Sequence, residues 1–128
     1  MSKGHDFTTA KQFVALLNDK GELNEATLFA FAKQRKYEET VAALAELSRS
    51  TIEVIRPLMQ SLRDDGVLIP CKAAGLGWET VHAVLDSRFA TGRMAPHELA
   101  TAQGQFGKLT TENARRLLRF WQVQSSSS

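Results

Sequence analysis

The stretch TTENARRLLRFWQV, Thr110 to Val123, decides the fold. Thr110 offers a hydroxyl cap, and Ala114, Leu117, Leu118 and Trp121 follow at i, i+3, i+4 and i+7, the spacing of one face of an α-helix. The pattern predicts a helix from Thr111 to about Val123. Alternation of β-branched and polar residues, the mark of a strand, is missing from this stretch and from the rest of the chain. The expected class is all-α.

Working outward, Pro96 opens a helix to about Phe106. Before it, Trp78, Val81, Leu85 and Phe89 form the inward face of another, with Gly92 as its stop. Asp64 and Asp65 offer caps for a short helix ending at Gly75, in which Pro70 is tolerable only within the first turn. Upstream, Ser50 and Glu53 read as a capping box for a helix with Ile52, Ile55, Leu58 or Met59, and Leu62 inward, kinked at Pro57. Tyr37 to about Leu47 places Val41, Leu44 and Ala45 inward, while Asn24 caps a segment from Glu25 to about Arg35. The wide stripe Leu28, Phe29, Phe31 and Ala32 predicts that this segment is deeply packed. The first helix runs from about Thr9 to Asn18, with Phe13, Leu16 and Leu17 on one face and Gly21 in the connection that follows.

About eight short helices with short connections imply antiparallel hairpins. No strict sequence repeat is visible, so a HEAT-like helical-repeat stack rests on loop spacing alone, beside a compact irregular bundle. The expected division is a flexible lead over 1–8, one helical domain over 9–123, and a disordered serine-rich tail over 124–128.

Composition narrows the function classes. With 128 residues, 43% hydrophobic and 23% charged, the chain reads as one globular domain. No apolar run approaches the ~18 residues of a membrane span, and Met1 to Thr9 lacks the pattern of a secretory signal, so no membrane insertion and a cytoplasmic location are expected. The single cysteine, Cys71, fits a reducing compartment. A net charge of +2 is too balanced for general attraction to nucleic acid; only Lys108, Arg115, Arg116 and Arg119 against Glu112 make a local basic excess.

The run VLIPCKAAGLGWETV, Val67 to Val81, and the closing ARRLLRFWQV, Ala114 to Val123, resemble an uncharacterised bacterial family, domain of unknown function 2336, in its C-terminal portion. The resemblance covers the chain from about Leu16 onward. It implies a helical, repeat-like domain with no assigned reaction, cofactor or ligand, and further helices upstream. Pro70 and Gly77 depart from the expected pattern, Gly77 standing where a serine or aspartate cap is usual.

Candidate chemistry is sparse. Cys71 paired with His82 is the one arrangement that offers a nucleophile and a base, but a lone cysteine between Ile69 and Ala74 reads as a small core residue. His5, His82 and His97 lack ligand spacing, so no metal is assigned; neighbouring Glu38 and Glu39, or Asp64 and Asp65, point about 100° apart on a helix and make no dyad. No phosphate loop and no cofactor site is expected. The segment LAELSRSTIEVIRPLMQSLRDDGVL, Leu44 to Leu68, resembles a helix-turn-helix, but Glu53, Asp64 and Asp65 oppose docking on phosphates.

The leading expectation is a non-enzymatic helical scaffold that binds another protein or itself. The candidate contact residues are Phe13 and Leu17 on the first helix and Arg115, Arg116 and Arg119 on the last. A helix-turn-helix regulator and a small-molecule or lipid sensor with an interhelical pocket are the alternatives.

Overall fold

A computed structural model describes residues 7–89 and 94–126. Among them are eight α-helices and no strand: α1 Phe7–Asp19, α2 Glu25–Lys33, α3 Tyr37–Ser48, α4 Ile52–Gln60, α5 Asp65–Ala73, α6 Trp78–Ser87, α7 Pro96–Lys108 and α8 Thr111–Ser126. The all-α class and the helix count match the sequence reading.

The caps set most boundaries. Asn24 accepts from Thr27 N at 3.0 Å to start α2, and Thr110 Oγ1 accepts from Asn113 N at 3.1 Å to start α8. For α4 the cap is Thr51, which accepts from Val54 N at 3.3 Å, one residue after the expected Ser50. The Ser50 hydroxyl is buried instead.

Four helix ends share one turn. Gly21, Arg35, Arg49 and Gly75 adopt left-handed φ of 72°, 57°, 61° and 76°. In each case the next amide bonds to the carbonyl five residues back: Glu22 to Leu17, Lys36 to Phe31, Ser50 to Ala45, Leu76 to Cys71. Glycine adopts this conformation freely; an arginine pays roughly 1–2 kcal/mol for it.

The deepest helix is α3 rather than α2. Thr40 to Ala45 are all buried, and α3 packs against α1, α2, α4 and α5. Its Ala42, Ala43 and Ala45 are small enough to let neighbours close in from several sides, whereas Phe29 of α2 stays partly exposed. Leu28, Leu44, Ile55, Leu68 and Leu85 fill the main core, and a second cluster of Val54, Ile69, Ala73, Ala114 and Leu118 lies beneath α8.

Several expectations need correction. Pro70 lies in the second turn of α5, not the first, where its ring is buried and the carbonyl it faces belongs to side-chain-free Gly66. Leu62 falls beyond the end of α4 and is wholly exposed, and Phe89 falls beyond α6 and is partly so. Gly92 lies outside the described residues. At the ends, α1 begins at Phe7 and α8 continues to Ser126, since neither proline nor glycine interrupts either segment.

A 40-residue recurrence of local features links two stretches of the chain. The start of α5 at Asp65 follows that of α2 at Glu25 by 40 residues. At the same spacing, left-handed Gly75 follows Arg35, and Glu79-Thr80-Val81 follows Glu39-Thr40-Val41. The two units pack differently, with α2 mainly on α6 and α5 mainly on α8.

Candidate functional site

Three arginines, Arg35, Arg88 and Arg115, are bound to the C-terminal ends of helices. Each α-helix leaves carbonyls without partners at its C-terminus, where the macrodipole also favours cations. Gln122 Nε2 donates to Arg49 O at 2.8 Å beyond α3, and Arg115 Nε donates to Ala73 O at 3.2 Å at the end of α5. Arg35 donates to Asp86 O at 3.0 Å and Phe89 O at 2.6 Å at the end of α6. Arg88 caps α4 through Met59 O at 3.1 Å and Ser61 O, and its nearly buried guanidinium also pairs with Asp64. That pairing takes Asp64 away from the capping role expected of it.

The proposed contact residues divide into two groups. Phe13 is 45% exposed with its ring 6.1 Å from that of Phe31, whereas Leu17 turns toward the core; the more exposed neighbour is Leu16. These residues lie on α1, which packs on α3, while the arginines lie on α8, which packs on α4 and α5, and no described cleft holds members of both groups.

On α8, Arg115 is tied to α5, Arg116 forms a 3.4 Å pair with Glu112 on the open surface, and Arg119 is exposed. Ala114 and Leu118 are buried, and Trp121 is half-buried. Leu117, expected inward with them, is 40% exposed, and it continues into Phe120 at 57% and Val123 at 64%. The apolar residues of α8 wrap more than half its circumference, more than the neighbouring α5 and α4 can cover. That excess was readable in the run LLRFWQV, but only Leu118 and Trp121 of its apolar residues face the interior.

Between α8 and the C-terminal ends of α3 and α5 lies a cleft of about 220 Å³ lined by Arg49, Arg115 and Arg119 with Ser48, Leu118 and Gln122. A cleft of about 520 Å³ beside Tyr37, Met59, Leu62, Arg88 and Phe89 is a candidate for the sensor alternative. For the helix-turn-helix alternative, α4 exposes Glu53, Arg56, Pro57 and Gln60, and the Arg56 guanidinium lies 4.9 Å over the Phe7 ring.

Cys71 is fully buried, and burial pushes its thiol up to about 12, so a thiolate is strongly disfavoured there. His82 stacks on Trp78 and places Nε2 3.2 Å from Asp86 Oδ2. Among the described residues no three His, Cys, Asp or Glu side chains are grouped to hold a metal ion, and no helix is long and apolar enough to cross a membrane.

Residues 1–119 match a family model described as an uncharacterised protein conserved in bacteria, DUF2336, so the likeness reaches well upstream of Leu16 and beyond a C-terminal portion. No curated protein and no solved structure matches the chain.

Proposed function

The chain belongs to the uncharacterised bacterial family DUF2336, and we propose that this domain is a non-enzymatic protein-docking module whose working surface is the outer face of α8. The observation that carries the reading is the exposure of Leu117, Phe120 and Val123 as neighbours on one helix. Single exposed apolar residues are ordinary; a row of large ones on a helix whose other side is packed is the pattern of a docking face.

Charge complementarity selects the occupant. Arg116 and Arg119 flank the row, with Glu112 the single acidic residue on α8. The fitting partner is an acidic amphipathic helix, with apolar residues at i, i+3 and i+4 against the row and carboxylates against the guanidinium groups. The 16 residues of α8 give a face about 24 Å long, enough for several turns of such a helix.

Photo-cross-linking tests this in the native bacterium. A benzophenone side chain at position 120 should give a discrete adduct with one protein, and the cross-linked peptide should be acidic and helical in pattern. The adduct should disappear in the Arg116→Glu, Arg119→Glu double variant. An adduct from position 13 with none from position 120 would place the docking face on α1 and remove this reading.

A further inference from the structure

We propose that the cleft between α8 and the ends of α3 and α5 is a binding site for the phosphate group of a small phosphorylated molecule. Arg49, Arg115 and Arg119 are among its lining residues, and no acidic residue is. Three like charges beside a cleft of about 220 Å³ attract an anion.

The balance of charge points to a phosphate rather than a carboxylate. Arginines stay protonated, which gives about +3. A phosphate monoester, which carries roughly −1.5 to −2 at neutral pH, offsets more of that charge than a carboxylate does.

Two hydrogen bonds hold the walls in place before any ligand arrives. Gln122 Nε2 fixes the Arg49 carbonyl at 2.8 Å, and Arg115 Nε fixes that of Ala73 at 3.2 Å, so α8 is tied to both helix ends and the terminal nitrogens of Arg115 remain for an oxyanion. The volume is smaller than the ~300–1,000 Å³ of sites that engulf a whole small molecule, so the cleft takes the charged group and leaves the rest outside.

Arg49 supplies an independent sign. Four helices end in the same left-handed turn, two with glycine and two with Arg35 and Arg49. Arg35 offsets its backbone strain by bonding the end of α6. Arg49 lines the cleft, and its guanidinium makes no hydrogen bond or ion pair among the described residues, which leaves it for a ligand.

The test follows the arginine Nε–Hε signals by NMR while inorganic phosphate, then glycerol phosphate, and then acetate at matched ionic strength are added to the full chain. Saturable shifts at Arg49, Arg115 and Arg119 are expected with both phosphates and not with acetate. The Arg49→Gly, Arg119→Gln double variant should weaken phosphate binding at least about tenfold. It should stay folded, because glycine suits φ 61° and Arg119 is exposed. Equal binding of acetate, an unchanged affinity in the double variant, or no saturable shift with phosphate would each overturn the assignment. No protein partner enters the measurement, so its outcome is separate from that of the docking surface.

Discussion

The carboxylate of Glu25 caps a helix 52 residues away: Glu25 Oε2 accepts from Gly77 N at 2.8 Å and from Thr80 Oγ1 at 2.7 Å. Gly77 has no side chain with which to cap α6, and the missing acceptor comes from the first residue of α2. Arg35, just past the other end of α2, bonds the carbonyls at the end of α6. The two helices therefore run parallel, with an anion at the positive end of α6 and a cation at its negative end, the arrangement the macrodipole favours.

Removing the cap isolates its contribution. Glu25→Ala should lower stability by about 1 kcal/mol, the usual value of a lost N-cap, read from the midpoint of urea unfolding. An unchanged midpoint would mean that water serves the start of α6 equally well.

The Arg88 guanidinium is a stronger case, being nearly buried against Asp64, Met59 O and Ser61 O. Arg88→Ala strands a carboxylate and leaves carbonyls without donors, and should cost about 3 kcal/mol. Asp64→Asn should cost less, because Asp64 retains contact with water. Equal, small losses in both variants would show that the network adds little to stability.

Which parts of this were legible beforehand follows the range of each interaction. Asn24 and Thr110 were readable as caps because the donor amide lies three residues away. The Glu25 cap, and the arginines bound at the ends of α4, α5 and α6, depend on which helices become neighbours, and sequence periodicity carries no such information. Apolar spacing placed Leu118 inward and failed for Leu117, which shares the run but lies on the flank that α5 and α4 do not reach. The 40-residue recurrence of Glu-Thr-Val was legible and went unread because the surrounding residues differ. Of the candidate contact residues, Phe13, Arg116 and Arg119 lie on open surface, Leu17 is partly buried, and Arg115 bonds the Ala73 carbonyl through Nε.

The two sides of α8 should respond differently to truncation. Leu118→Ala should cost about 2–5 kcal/mol, as for a buried leucine, while Leu117→Ala and Phe120→Ala should stay within about 0.5 kcal/mol of the parent. Trp121→Ala should fall between them, since its ring is half-buried. Chemical denaturation checks the order, and a large loss at Phe120 would turn the helix over.

Burial also sets a pH dependence. The Cys71 thiol, near 9 when unfolded, is pushed up to about 12 in the fold. The unfolded chain therefore loses this proton first, and the contribution of the neutral thiol is complete below pH 9 and declines as pH rises from about 9 to about 12. Comparing the parent with Cys71→Ala over that window should show the parent losing more stability. At neutral pH a thiol reagent should react with Cys71 only as fast as the protein opens, and rapid labelling of the folded chain would contradict its burial.

The docking surface itself is tested most directly by the affinity of the partner segment cross-linked at position 120. It is titrated calorimetrically against the parent and against a Leu117→Ser, Phe120→Ser variant whose unfolding midpoint is unchanged. The expected result is binding weakened at least about tenfold, or ~1.4 kcal/mol, by the variant, and weakened in both proteins as added salt screens Arg116 and Arg119. Equal affinity for parent and variant would contradict the assignment of α8 as the face through which this domain works.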